Sequence, residues 1–231
     1  MQLFVKPRRA ILSLYAATEA RTQSREEEVA NSLSHGLGLA AALAAGAFLV
    51  VTAAQRGSPG FSLGVSVYAA TLACLYLAST LYHALPTGRA KAVLLVCDHS
   101  AIFLFIAGSY TPFALGVLRG TWGLALLVVI WGLALAGVGF KIVGGADRCP
   151  KLSTGLYLAM GWVFLIAAIP VWHLLPVAGL LWLLAGGVAY TAGVAFFRAE
   201  GMRYGHFVWH WFVLAGTICH FVAVLRYAGG A

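Results

Sequence analysis

The chain has 231 residues, of which 61% are hydrophobic and 10% are charged, and its formal net charge is +8. A soluble domain has about 25% charged residues, so this composition excludes a soluble fold and indicates a multi-pass membrane protein. The basic residues stand singly between apolar runs, a pattern typical of cytoplasmic loops that excludes a nucleic-acid-binding patch.

The first 30 residues are polar, and we predict that they form a cytoplasmic tail. Within this tail, Arg9 to Ala20 is compatible with a short amphipathic helix on the membrane surface, and a solvated tail explains it equally well. An acidic run, Glu26 to Glu28, precedes the first apolar segment. Asn31 is expected to cap the first membrane helix.

Residues 31–231 are predicted to form one seven-transmembrane domain, an all-α bundle. Each of the seven apolar segments has close to the roughly 20 residues that a helix needs to cross a bilayer. The connections are short and contain Gly, Pro and charged residues, so successive helices must run antiparallel. The predicted spans lie at about 32–54, 62–84, 94–117, 122–140, 153–172, 177–197 and 205–226.

The distribution of Lys and Arg predicts a cytoplasmic N-terminus and a C-terminus outside. In this orientation only Arg56, Arg119 and Arg226 lie outside, and all other basic residues lie inside, as the positive-inside rule requires. The expected location is therefore the inner (plasma) membrane of the cell. Several glycines within the spans predict close helix contacts in lipid, namely Gly108, Gly132, Gly137, Gly139, Gly186 and Gly187.

Ionisable and polar side chains within three spans converge at one predicted depth. His206 and His210 in span seven are four residues apart, so both imidazoles leave one face of the helix. Ser79 and His83 have the same spacing at the end of span two, and Asp98 lies about one turn into span three. In the predicted topology, all five side chains lie near the cytoplasmic face.

This layer of side chains predicts a zinc site. Ionisable groups within membrane spans are unfavourable and usually mark function. Three neutral imidazoles, those of His83, His206 and His210, with a fourth position left open form a recognised catalytic zinc arrangement. Asp98 is placed to accept a proton from a water at that position. For each histidine alone, a hydrogen-bonded packing role is an even alternative; the common depth of the set favours the metal.

The remaining histidines have no role that the sequence determines. His35 and His99 share the predicted depth and are candidates for supporting the site or lining its entrance. His220 lies ten residues beyond His210, roughly 15 Å further along the helix, which is too far for it to bind the same ion.

The motifs S-T-L-Y-H at 79–83 and H-F-V-W-H at 206–210, with Asp98 between them, resemble the haemolysin III family. Further similarity lies in N-S-L-S-H-G at 31–36 and F-I-A-G-S-Y-T-P-F at 105–113. This family is the bacterial branch of the progestin and adiponectin receptor group, which is placed with the alkaline ceramidases in a wider set of membrane hydrolases.

The resemblance covers the chain from about Glu28 to its C-terminus. It implies a seven-helix fold in which the three histidines named above hold zinc. It also implies that Asp98 and Ser79 lie beside the activated water, and that the chemistry is the hydrolysis of lipid amides.

Four functions compete at this point. The preferred one is a zinc-dependent hydrolase of a ceramide-like lipid amide in the membrane, releasing a free fatty acid. The alternatives are a membrane sensor, homeostasis regulator or receptor-like protein with a structural zinc, a haem protein, and a pore-forming cytolysin as the family name suggests. An open position beside a carboxylate disfavours structural zinc and haem, and uniformly apolar spans disfavour a wide pore.

Overall fold

The computed structural model describes residues 23–56, 58–144, 149–199 and 201–230, and within these ranges it contains helices and no strand. The amphipathic helix predicted for Arg9 to Ala20 lies outside the described residues. The helices are α1 (Arg25–Gln55), α2 (Pro59–Ala84), α3 (Arg89–Leu115), α4 (Thr121–Gly144), α5 (Pro150–Gly161), α6 (Ala168–Leu174), α7 (Val177–Arg198) and α8 (Gly205–Tyr227), with a 3₁₀ segment at Val163–Ala167.

Seven segments of the described chain are long and apolar enough to cross a membrane. Six of them are single helices, and the fifth, Pro150–Leu174, combines α5, the 3₁₀ segment and α6. The predicted fold class, an all-α bundle of seven membrane-spanning segments, is therefore confirmed.

Helix α1 begins at Arg25 rather than near residue 32. Its N-cap is Ser24, whose hydroxyl accepts the backbone N–H of Glu27 while the Glu27 carboxylate accepts the backbone N–H of Ser24. This reciprocal pair is a capping box, which fixes the start of a helix by satisfying two backbone donors. The prediction that Asn31 caps the helix is wrong, because Asn31 lies inside α1 and is buried. The acidic run therefore belongs to the first turn of a membrane helix.

The fifth span is interrupted at Trp162, in the middle of its length. The backbone there turns into a 3₁₀ segment, which leaves carbonyl groups that need a hydrogen-bond donor inside the membrane. The hydroxyl of Tyr110 lies 2.8 Å from the carbonyl oxygen of Met160 and 2.9 Å from that of Gly161. The same hydroxyl accepts the N–H of Phe164 at 3.2 Å. A side chain of α3 thus stabilises the break in span five.

The order of helix contacts places α1 between the two helices that contain the histidines. Helix α2 packs against α1 on one side and α3 on the other, while α7 packs against α8. Helix α1 also packs against α8, which brings the end of α2 and the start of α8 to the same end of the bundle. The bundle is held by fully buried aromatic side chains, among them Phe61, Tyr68, Tyr76 and Phe103.

Candidate metal centre

The structure brings together the three histidines that the sequence singled out as metal ligands. His83 comes from the last turn of α2, and His206 and His210 come from the first turns of α8. One nitrogen from each ring lies within 4.8 Å of the other two. The ring centroids are 4.6 Å apart for His206 and His210 and 5.0 Å apart for His83 and His206.

This arrangement fits a tetrahedral metal ion with imidazole ligands. Nitrogens about 2.0–2.1 Å from a tetrahedral zinc ion are about 3.3 Å from one another. The three histidine nitrogens lie within 4.8 Å of one another, the close grouping that three ligands of one ion require. The Nε2 atom of His83 is buried without a hydrogen-bond partner, as is expected of a nitrogen whose natural partner is an ion. The donor set therefore suits zinc and other metals that bind imidazole.

The second ring nitrogen of His83 bonds to a carboxylate from α1. The His83 Nδ1 atom lies 2.8 Å from Glu28 Oε2, and Lys91 Nζ of α3 lies 2.8 Å from Glu28 Oε1. An ionised carboxylate can only accept, so Nδ1 donates its hydrogen and the lone pair is on Nε2. The side chain of His83 is 1% exposed and that of Glu28 is 22% exposed, so this pair forms at the edge of the buried cluster.

The second ring nitrogen of His210 bonds to a hydroxyl from α1. The His210 Nδ1 atom lies 2.8 Å from Ser34 Oγ, and the Ser34 hydroxyl donates to the carbonyl oxygen of Asn31 at 2.8 Å. Because the single hydroxyl hydrogen of Ser34 is used in this way, Ser34 accepts from His210 Nδ1. The lone pair of His210 is therefore on Nε2, as it is for His83.

Asp98 and Ser79, the two predicted catalytic residues, lie on different helices and line one cavity. Asp98 of α3 is 8% exposed and Ser79 of α2 is 2% exposed. Both side chains line the same cavity as His206 and His210. This cavity has a volume of about 130 Å³ and is otherwise mostly apolar. A carboxylate, a hydroxyl and the imidazoles thus meet on the wall of an apolar chamber.

Of the four histidines without an assigned role, His35, His99 and His220 line this cavity and His173 does not. His35 of α1 stacks on His210 with ring centroids 3.4 Å apart, and both of its nitrogens are buried without a partner. The backbone carbonyl of His99 accepts the hydroxyl of Tyr157 at 2.9 Å. His220 lies against Tyr190, further along α8. None of the three belongs to the group of nitrogens that lie within ligand distance in the described part of the chain.

Sequence reasoning missed Glu28 and Ser34, the two side chains of α1 that contact the candidate ligand histidines. Glu28 was assigned to a polar tail because the first span was placed too late in the chain. The signal that identifies its position is Ser24 followed three residues later by Glu27, the pattern of a capping box. With the helix started at Ser24, Glu28 and Ser34 lie on the part of α1 that faces α2 and α8.

Comparison with known proteins identifies relatives over most of the chain. The sequence model of the family described as "Haemolysin-III related" matches residues 23–221. The chain is 42% identical over 202 residues to the hemolysin-3 homolog of Bacillus subtilis (strain 168), covering 87% of this chain and 94% of the relative. It is 40% identical over 206 residues to hemolysin-3 of Bacillus cereus, covering 89% of this chain and 94% of the relative.

A more distant relative comes from animals. The chain is 27% identical over 167 residues to the monocyte to macrophage differentiation factor of Homo sapiens, covering 70% of this chain and 68% of the relative. This similarity is consistent with the grouping of the bacterial proteins with the progestin and adiponectin receptors. No solved structure matches the chain.

Proposed function

The chain belongs to the haemolysin III-related family of membrane proteins, and from this premise we propose that it is a zinc-dependent hydrolase of lipid amides. The observation that supports the proposal is the combination of three imidazoles within 4.8 Å of one another with Asp98 and Ser79 on the wall of an apolar cavity. A site that only held helices together needs neither the carboxylate nor the cavity.

Each residue of the site has a role in this proposal. His83, His206 and His210 hold the zinc ion, which supplies Lewis acidity and activates water for attack on a carbonyl. Asp98 accepts the proton of the attacking water and passes it to the departing amine. Ser79 donates its hydroxyl hydrogen to the oxygen on which negative charge develops. Water adds to the acyl carbon, the C–N bond breaks, and a free fatty acid and an amine leave.

The surroundings of the site favour a substrate that is itself a membrane lipid. The histidines lie at the end of α2 and the start of α8, at one end of the bundle. The distribution of basic residues predicts that this end lies in the cytoplasmic leaflet. The cavity extends from them between apolar side chains, including Leu75, Ile102 and Val213. A ceramide-like molecule places its amide at the histidines and an acyl chain in the apolar part.

The names of the bacterial relatives raise the alternative of a haemolysin. A wide aqueous pore needs a polar lining along its length. In the described residues, the interior of the bundle is occupied by aromatic and aliphatic side chains, including Phe61, Val65 and Phe103. We therefore rank a hydrolase above a cytolysin.

A substitution of Asp98 tests the proposed chemistry. The full-length protein, purified in detergent and loaded with zinc, is incubated with ceramide and other N-acyl lipids in mixed micelles, and released fatty acid is quantified. Asp98→Asn keeps the size of the side chain and removes the base, so turnover should fall by about 10²- to 10⁴-fold. Zinc content should remain at the wild-type value, because the three histidines are unchanged.

The same experiment separates the hydrolase from a regulator with structural zinc. A regulator predicts that no lipid amide is consumed by the wild type, although zinc is bound and its removal lowers the unfolding temperature. Equal turnover by the wild type and Asp98→Asn contradicts the proposed role of Asp98.

A further inference from the structure

Helix α1 provides no ligand to the histidine cluster, yet it contacts two of the three ligand histidines through polar side chains. Glu28 lies 2.8 Å from His83 Nδ1, and Ser34 lies 2.8 Å from His210 Nδ1. Glu27 accepts the backbone N–H of Tyr204 at 2.7 Å, directly before the first turn of α8. Three side chains of α1 therefore contact α2, α8 or the residue directly before α8, that is, both helices that contain the clustered histidines.

We propose that α1 positions the metal ligands by fixing their tautomers: Glu28 and Ser34 hold the hydrogens of His83 and His210 on Nδ1, which leaves both Nε2 lone pairs for the ion. The proposal rests on the metal site of the proposed function, but not on the reaction. Glu28 and Ser34 are positioning residues, since neither lines the cavity and neither belongs to the close group of nitrogens.

The physical basis is that a neutral imidazole has one N–H donor and one lone pair, and only the lone pair binds a metal. A histidine without a partner for Nδ1 exchanges between the two tautomers and between ring orientations. Hydrogen bonds from the other nitrogen of a ligand histidine remove this freedom, and their loss typically weakens metal binding 10- to 100-fold.

Lys91 determines which atom of the residue 28 side chain faces His83, and this makes the proposal testable. Its ammonium group donates to Glu28 Oε1 at 2.8 Å and to the carbonyl oxygen of Leu85 at 3.2 Å, and it cannot accept a hydrogen bond. In Glu28→Gln the amide has one oxygen and one NH₂ group, and Lys91 attracts the oxygen. The NH₂ group then faces His83 Nδ1, which must accept, so the hydrogen of His83 moves to Nε2, the atom that faces the cluster. The substitution therefore reverses the tautomer.

The first measurement is the affinity of the full-length protein for Co²⁺, followed by its visible absorption in detergent. Glu28→Gln and Ser34→Ala should each weaken Co²⁺ binding about 10- to 100-fold. The matched control is Glu26→Gln, which also removes one negative charge. Glu26 lies two residues before Glu28, is exposed, and accepts a hydrogen bond from the Ser24 hydroxyl rather than from a histidine. This control should stay within twofold of the wild type.

Two further variants separate tautomer control from simple loss of charge. Glu28→Gln with Lys91→Met frees the amide oxygen to accept from His83 and should recover part of the affinity. Lys91→Met alone leaves the Glu28 bond in place and should change affinity by less than about twofold. If charge alone governed binding, removal of this cation would raise the affinity instead.

The second measurement reads the tautomers directly in the metal-free protein. ¹⁵N NMR of histidine-labelled protein should show the Nδ1–H form for two rings of the wild type, and Glu28→Gln should convert one of them to the Nε2–H form. Wild-type rings of His83 and His210 that carry Nε2–H overturn the proposal. So does Co²⁺ binding by Glu28→Gln and Ser34→Ala within twofold of the wild type. A wild type that binds no Co²⁺ instead overturns the metal site of the proposed function.

Discussion

At the scale of single residues, the site depends on the difference between histidines whose nitrogens lie close together and histidines that only line the same cavity. His206 and His210 are one helical turn apart on α8, and His83 meets them from α2. His220 is on the same helix as the pair and lines the same cavity, but it is not part of the close group of nitrogens. Proximity of the nitrogens, rather than burial of a histidine in the membrane, therefore defines the proposed ligand set.

This difference predicts the metal content of two histidine variants on one helix. His206→Ala removes a ligand and should reduce bound zinc from about one ion per chain to a small fraction, since loss of a ligand exceeds the 10- to 100-fold loss caused by changes around the ligands. His220→Leu should keep the wild-type zinc content. Elemental analysis of the purified proteins measures both. Zinc lost from His220→Leu, or kept in His206→Ala, would show that the ion is bound elsewhere.

The sequence alone identified those residues of the candidate site whose spacing places them on one face of a helix. The four-residue spacing of His206 and His210, and of Ser79 and His83, places each pair on one helix face whatever the rest of the fold does. Glu28 was not recognisable in this way, because a carboxylate in an acidic run has the same pattern whether it is solvated or bonded to a histidine. Its role became visible only when the packing of α1 against α2 and α8 was known.

At the scale of helices, the glycines of α4 show that a sequence pattern does not determine which face of an apolar helix contacts its neighbour. Gly137 and Gly139 were both predicted to allow close helix contacts. A methyl group added at Gly137 would overlap the ring of Phe103, which is fully buried, whereas nothing lies within 4 Å of one added at Gly139. Only Gly137 therefore lies at a helix contact, and the rotation of α4 about its axis, which decides this, is not encoded in a uniformly apolar segment.

The two glycines provide a matched pair of stability variants. Gly137→Ala forces Phe103 or α4 to move and should destabilise the bundle by about 1–3 kcal/mol. Gly139→Ala meets no neighbour and should be neutral or stabilise the helix by about 0.5–1 kcal/mol, because alanine has the higher helix propensity. Thermal unfolding in detergent compares the two directly. Equal destabilisation by both substitutions would contradict the packing of α3 against α4.

At the scale of the whole molecule, the site lies at one end of a bundle with seven spans. The end of α2, the start of α3, the end of α4 and the start of α8 all lie on this side, since successive helices run antiparallel. Lys91 and Lys141 lie on the same side. Because the number of spans is odd, the start of the first span and the end of the last lie on opposite faces of the membrane. Which face is cytoplasmic remains a prediction from the basic residues.

Labelling of two engineered cysteines tests this orientation. Arg89 at the start of α3 and Arg119 beyond its end are both exposed and lie at opposite ends of one helix. The four native cysteines are free and are first replaced by alanine or serine. In intact cells a membrane-impermeant maleimide should label Arg119→Cys and not Arg89→Cys, while both should react after the membrane is opened. The positive-inside rule predicts this result because most of the basic residues lie on the side of Arg89. The reverse labelling would place the histidine cluster in the outer leaflet, where a lipid amide would reach it from the opposite side of the membrane.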